Sequence, residues 1–140
     1  KVDRKMVSSM FRQTDFILPS YGEASLITGE TETCWIIEAL QDMGAVNIVL
    51  KLGNRGCYLH AKETDNMIEA CPAAVVDTTG AGDCFAAGFL YGLSKGMDVE
   101  VCAKLGCAAG SIAVEAVGAN TALRNREQMF LRAGMHLDDR

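Results

Sequence analysis

The run Val75-Val76-Asp77-Thr78-Thr79-Gly80-Ala81-Gly82-Asp83-Cys84-Phe85 holds the residues best suited to chemistry. It reads as a strand end meeting a glycine-rich turn that opens a long apolar helix. The first turn of a helix has backbone N–H groups without intrahelical partners and a positive dipole end, so it can hold an anion. Gly80 and Gly82 remove side chains where the main chain must approach a ligand and permit positive φ, while Ala81 keeps the loop small. Asp83 stands at the same terminus, placed to take a proton from a hydroxyl. The neighbouring N–H groups would neutralise charge developing on a transferred phosphoryl group. An aspartate before a helix is also a common N-cap, so taken alone Asp77 or Asp83 has a purely structural reading.

The elements around this run follow from periodicity and turn chemistry. Residues 1–11 are amphipathic and helical, and Asp15-Phe16-Ile17-Leu18-Pro19-Ser20 is a short buried strand stopped by proline. Tyr21 to Gly29 is helical and ended by glycine; Thr31 then caps a helix that runs to Met43 before Gly44 closes it. Val46–Leu52 is β-branched and nearly all apolar, as a strand covered on both faces must be, so the stretch reads as a βαβ unit. Gly53-Asn54-Arg55-Gly56 is a turn leading to Cys57-Tyr58-Leu59-His60, an antiparallel hairpin at one side of the sheet. Short segments follow at 67–71 and 73–76, broken by Pro72, and then helices at 83–95, 98–117 and 125–133. Gly88 and Gly92, four apart, suit close helix packing. No repeat or linker marks a second domain.

Composition narrows the function classes. The chain has 140 residues, with 13 basic and 18 acidic side chains and a net charge of −5, which argues against a protein held on nucleic acid by phosphate neutralisation. A hydrophobic content of 49% with 22% charged residues predicts a folded core. The longest uncharged apolar stretch, Cys84 to Ser94, falls far short of the roughly 20 residues that span a bilayer. No export signal is visible at Lys1-Val2-Asp3-Arg4-Lys5. The six cysteines lack any C-x-x-C pair and sit in apolar runs, which predicts reduced, buried thiols of a cytoplasmic protein.

The whole string from Asp77 to Phe85 resembles the signature of the ribokinase-like, phosphofructokinase-B type carbohydrate kinases, Asp-Thr-Thr-Gly-Ala-Gly-Asp-x-Phe, at every position. Leu18-Pro19-Ser20-Tyr21-Gly22-Glu23-Ala24 with Thr28-Gly29 resembles that family's Pro-Asn-x-x-Glu segment, and Val49–Gly56 its strand and nucleotide loop. Ser111-Ile112-Ala113-Val114 with Gly118-Ala119 resembles its C-terminal helix and adenine-side loop, so the likeness spans residues 15 to about 122. It implies a three-layer α/β/α sandwich. The 140 residues would correspond to the C-terminal, nucleotide-binding and catalytic half of a mostly parallel sheet with flanking helices. The N-terminal sugar-binding half and lid are missing from that correspondence.

The resemblance implies ATP-dependent phosphoryl transfer to a hydroxyl of a sugar or sugar acid, with Asp83 as the base and the N–H groups of Gly80, Ala81 and Gly82 as the anion hole. Glu23 would organise Mg2+ through water; its plain reading is a solvent-facing helix carboxylate. Ser20 would lie near the phosphates, where most of the family has asparagine, and serine there resembles some keto-deoxy-sugar-acid kinases. Lys51, Gly53, Asn54, Arg55 and Gly56 would line the nucleotide, chiefly through backbone groups, although Gly53–Gly56 also reads as a bare hairpin turn. Cys107 would form a wall of the adenine pocket. A monovalent cation, potassium, would sit at Asp77, Thr79, Ala113, Ala116 and Gly118, mostly on carbonyl oxygens. Ala122 departs from the serine that some relatives place there.

The acidic balance and the short apolar runs leave no partner among nucleic acids or membranes, and a homodimer of the complete enzyme is allowed. The 140 residues alone are expected to bind ATP weakly and phosphorylate no sugar. A non-catalytic nucleotide-binding or interaction module is the alternative, against which the intact Asp83 string argues. A dinucleotide dehydrogenase lacks its G-x-G-x-x-G, and a Walker-type NTPase its G-x-x-x-x-G-K-[ST].

Overall fold

Asp3 starts the first helix, α1 (Arg4–Phe11), by accepting hydrogen bonds from the N–H groups of Lys5 and Met6 at 3.0 and 3.2 Å. The computed structural model describes residues 2–136; Lys1, where the helical pattern begins in the sequence, and residues 137–140 lie outside them. The chain divides into two compact units, one comprising the residues up to Gly53 with Tyr58–Met67, the other Asn54–Cys57 with Ile68 onward.

In the first unit, β1 (Phe16–Ile17) is followed by α2 (Tyr21–Thr28), which Gly29 ends in the left-handed conformation at φ 83°. The next helix, α3 (Thr33–Asp42), has Glu32 rather than Thr31 as its N-cap. The Thr31 carbonyl instead accepts from the Tyr21 hydroxyl at 2.8 Å, which holds that residue outside the helix. Strand β2 (Asn47–Lys51) begins one residue later than its composition suggests, because Val46 is exposed. It pairs in parallel with β1, Phe16 opposite Asn47 and Ile17 opposite Ile48, completing the expected crossover. Ile48, Val49 and Leu50 are all fully buried, as a strand covered on both faces requires.

A 3-10 turn at Gly53–Arg55 leads into β3 (Cys57–Ala61), and β4 (Thr64–Ile68) follows, giving the sheet order β1-β2-β3-β4. The connection from β2 to β3 is too short for a crossover, so the pair is an antiparallel hairpin. The core of this unit is built from Ile36, Leu40, Ile48 and Leu50, with Phe11, Tyr21 and Tyr58 packed against it.

The second unit is helical: α4 (Ala81–Ser94), α5 (Val99–Ala113) and α6 (Arg126–Arg132). The expected segment at 73–76 forms no strand. Val75 and Val76 are exposed, and the N–H groups of Val76 and Asp77 go to the Val114 carbonyl at 2.7 and 3.1 Å instead of to a neighbouring strand. Helix α5 stops at Ala113, short of the expected residue 117, with Val114 as its C-cap. A Cβ on Gly88 would stand 2.6 Å from the Leu105 carbonyl oxygen, and one on Gly92 would stand 2.8 Å from Cys102 Sγ. The two glycines therefore serve close packing of α4 on α5. Phe130 of α6 meets Tyr91 edge to face, with ring centroids 6.1 Å apart. All six cysteines are free thiols, but Cys34 is exposed and Cys71 half-buried, against the expectation that all are buried. Cys34 stands next to Trp35, itself exposed, at the start of α3, ahead of the buried Ile36 and Ile37. Among the described residues no helix is long and apolar enough to cross a membrane.

Candidate functional site

Asp77 does not cap a helix. Its Oδ1 accepts from the Thr79 N–H at 2.9 Å and the Thr79 hydroxyl at 2.7 Å, and its Oδ2 accepts from the Gly118 N–H at 3.0 Å. The Gly118 hydrogen bond, reinforced by those of Thr79, holds the Asp77 carboxyl below the usual range. The carboxylate thus ties the segment before α4 to the loop after α5. Two further contacts make the same connection. A Cβ on Gly80 would come within 2.6 Å of the Ala119 backbone, and Cys84 Sγ donates to the Ala119 carbonyl at 3.3 Å.

Gly80 is the N-cap of α4 at φ 78°, a conformation that glycine adopts without cost. Gly82 lies inside α4 and is not among the residues of positive φ, so the expected positive φ belongs to Gly80 and not to Gly82. No side chain caps this helix. The Ala81 N–H donates to the Thr78 carbonyl at 3.2 Å, whereas those of Gly80, Gly82 and Asp83 have no acceptor among the described residues. Asp83 is in the first turn, exposed, and its carboxylate makes no hydrogen bond or ion pair among the described residues. An ionisable oxygen pair therefore stands open to solvent beside a helix start with unspent donors, a setting suited to moving a proton near an anion.

Of the residues expected around a monovalent cation, Asp77, Thr79 and Gly118 are brought together by these bonds. Ala113 ends α5 and Ala116 follows it, in the stretch where helix carbonyls lose their intrahelical partners. Because the Asp77 carboxylate is already spent on three donors, an ion here would rest on carbonyl oxygens. Among the described residues no three His, Cys, Asp or Glu side chains gather into a metal site.

In the first unit, Ser20 and Glu23 form a capping box. The Glu23 N–H donates to Ser20 Oγ at 3.2 Å, and the Ser20 N–H donates to Glu23 Oε2 at 2.8 Å. That second bond keeps the Glu23 carboxyl below its ordinary value against the opposing effect of burial, with lesser help from the serine hydroxyl and the charge of Lys51. Ser20 also bridges to Lys51, whose N–H donates to the Pro19 carbonyl at 2.9 Å. Glu23 is exposed, as a solvent-facing helix carboxylate would be, yet one of its oxygens is committed to the cap. Gly53, Asn54 and Arg55 form the exposed 3-10 turn. Gly56 is buried at φ 93°, where a Cβ would meet the Ile68 carbonyl. Its glycine is thus explained by the chain's own packing. Cys107 is buried, its sulfur 3.9 Å from that of Cys57.

Sequence reasoning missed two polar clusters. Arg132 donates to both Glu115 oxygens at 3.1 and 2.7 Å, and to the Pro72 carbonyl and the Ser111 hydroxyl at 3.1 and 3.3 Å. No local pattern links these residues, which come from α5, the stretch just after it, α6 and the loop at Pro72. A cavity of about 360 Å3 lies beside them, lined by Ile112, Glu115, Ala122, Gln128, Leu131 and Arg132, and includes none of the residues from Asp77 to Asp83. In the first unit Asp65 accepts from the Tyr58 hydroxyl at 2.7 Å and meets His60 Nδ1 at 3.2 Å, and the first contact, with help from burial, pushes the Tyr58 phenol up to about 12. Tyr58 and His60 alternate onto one face of β3, but Asp65 lies on β4, a strand the sequence pattern did not mark.

Residues 2–126 match the family model described as pfkB family carbohydrate kinase. A protein of Archaeoglobus fulgidus described as an uncharacterized sugar kinase is 34% identical over 84% of this chain and 46% of its own length. The 2-dehydro-3-deoxygluconokinase of Bacillus subtilis is 34% identical over 85% of this chain and 38% of its own. The solved structure of Arabidopsis thaliana ribokinase with ribose and ATP superposes with a TM-score of 0.83 at 32% identity, over 92% of this chain and 44% of that one. The chain shares the ribokinase-like α/β fold and spans less than half the length of these relatives.

Proposed function

Because the chain belongs to the pfkB family of carbohydrate kinases, we propose that it supplies the nucleotide-binding and catalytic part of an enzyme that transfers a phosphoryl group from ATP to a hydroxyl of a sugar or sugar acid. The observation that carries this reading is the open Asp83 carboxylate beside the uncapped start of α4.

In this reading Asp83 takes the proton of the acceptor hydroxyl, and the hydroxyl oxygen becomes the nucleophile. The N–H groups of Gly80 and Gly82 hold the negative charge that develops on the transferred group. The Ala81 N–H joins them by giving up its long bond to the Thr78 carbonyl. Asp77 keeps this loop in place through Gly118 and Thr79. Lys51, Gly53, Asn54, Arg55, Gly56 and Cys107 line the nucleotide, and Ser20 lies toward the phosphates.

Mg2+, when bound, offsets charge on the phosphates. The residues present suit it, since this ion retains waters and needs only one or two carboxylates beside substrate phosphates, and the ionised Glu23 provides one through water. Potassium, when bound, would rest on carbonyl oxygens about Asp77, Thr79, Ala113, Ala116 and Gly118, of which the first two and Gly118 are held together by the Asp77 carboxylate.

The test is ATP-dependent phosphorylation by the protein carrying this chain, read as ADP release with aldoses, ketoses and 2-keto-3-deoxy sugar acids as acceptors. Acceptor-dependent ADP release is expected. Nucleotide binding with no turnover on any acceptor would favour a non-catalytic module instead.

A further inference from the structure

Two thiols meet inside the helical unit and take no part in the chemistry of the Asp77–Asp83 loop. Cys57, the first residue of β3, is 0% exposed, and Cys107, in the middle of α5, is 7% exposed. Their sulfurs are 3.9 Å apart although the residues are 50 positions apart in the chain, and the Cys107 thiol donates to Cys57. A disulfide requires about 2.05 Å between sulfurs, so roughly 2 Å of approach separates this hydrogen-bonded pair from a covalent one. We infer that Cys57 and Cys107 form a dithiol that hydrogen peroxide closes to a disulfide.

The order of events follows from the pair. Cys57 can donate to a thiolate on Cys107 and so lowers that thiol, while the same bond and burial push the Cys57 thiol up. Cys107 is therefore the attacking sulfur. It bonds to one peroxide oxygen, the O–O bond breaks, and the departing hydroxide takes a proton and leaves as water, giving a sulfenic acid. Cys57 then loses its proton as its sulfur attacks the sulfenic sulfur; the S–O bond breaks and a second water leaves. Two thiols lose two electrons and two protons, and one peroxide becomes two waters.

The surroundings restrict both competitors and geometry. Cys71 is half-buried, its thiol donates to the Arg132 carbonyl at 3.6 Å, and burial pushes that thiol up, so it is the weaker nucleophile. Cys34 is exposed and reacts independently, so it is best removed from the assay. The backbone at Cys57 has little freedom, since the preceding Gly56 lies where a Cβ would be 2.0 Å from the Ile68 carbonyl oxygen.

The full chain carrying Cys34→Ser is treated with hydrogen peroxide, alkylated and read by intact mass and peptide mapping. The expected result is loss of two hydrogens, one Cys57–Cys107 linked peptide, and recovery of both thiols with dithiothreitol. In Cys57→Ser, Cys107 is expected to stop at the sulfenic acid and be trapped by dimedone. On the chain without the Cys57 substitution, phenylarsine oxide, which bridges paired thiols, should protect both cysteines from alkylation, and this arm stands even where Cys57→Ser does not fold. Sulfinic acid at Cys107 with no disulfide, a disulfide that includes Cys71, or no protection by the arsenical would overturn the inference. Every readout is a mass, so the outcome does not depend on whether the protein transfers a phosphoryl group.

Discussion

Asp77 Oδ2 accepts from the Gly118 N–H at 3.0 Å, and this bond joins the segment entering α4 to the loop leaving α5. The carboxyl is held below its ordinary value by that bond and by Thr79, so its pKa in the folded chain lies below the unfolded value of about 3.9. A lowered folded pKa gives stabilisation that is complete above the unfolded value and is lost as pH falls through the folded one. Urea denaturation of wild type and Asp77→Asn should therefore show a stability difference that is constant from about pH 7 to pH 5 and shrinks below about pH 4. A difference independent of pH would mean that the charge of Asp77 contributes nothing.

Gly80 and Gly82 should respond differently to alanine. At Gly80 the positive φ and the Ala119 backbone at 2.6 Å both oppose a Cβ, so Gly80→Ala is expected to lose more than about 1 kcal/mol of stability. Gly82 is inside α4, where alanine is the better helix former, so Gly82→Ala should keep or raise the melting temperature. On the role proposed for Gly82 in the anion hole, turnover should fall nevertheless, because the added methyl group would obstruct the phosphoryl group. Thermal melts beside kcat separate the two effects, and equal behaviour of both variants would remove the ligand-facing role of Gly82.

Asp83→Asn should lower kcat by at least about 100-fold, the lower end of what a general base contributes, while ATP binding and the melting temperature are retained. Asparagine keeps the size of the side chain but cannot accept the hydroxyl proton. Steady-state kinetics and nucleotide titration of the same preparation decide it; unchanged turnover would end the assignment of Asp83 as the base.

Arg132→Met should cost about 1 to 2 kcal/mol of stability, measured by denaturant unfolding. The change removes the paired bonds to Glu115 together with those to Pro72 and Ser111. The side chains of the ion pair are 27% and 29% exposed, so solvent already weakens it, and a fully buried pair would be worth more.

Helix stops were legible where a glycine sets them, whereas the Asp3 cap that starts α1 was not. Gly29, Gly44 and Gly96 each take a positive φ at the place the sequence marks as a stop. Val75 and Val76 were misread as a strand because their β-branched side chains carry the strand signal. Their backbone partner, the Val114 carbonyl, is a tertiary feature that composition does not contain. The same carbonyl lies at the end of α5, so the misplaced strand and the overlong helix share one cause. In the candidate site, the glycines and Asp83 stand out by residue type. The tie from Asp77 to Gly118 spans 41 residues and could not be read locally, and neither could the pairing of Cys57 with Cys107.

The close approach of Gly88 and Gly92 to α5 bears on the order in which the chain folds. Helices α4 and α5 are joined by only Lys95–Asp98, so their contacts link residues near in sequence and close with little loop entropy. Gly80 lies at the open end of this hairpin, and so does the Gly118-Ala119 loop that packs against it. If the hairpin zips from the Gly96 turn outward, those two loops come together last. The loop that carries Asp83 is thus assembled as a by-product of helix pairing, without a separate search by the chain ends.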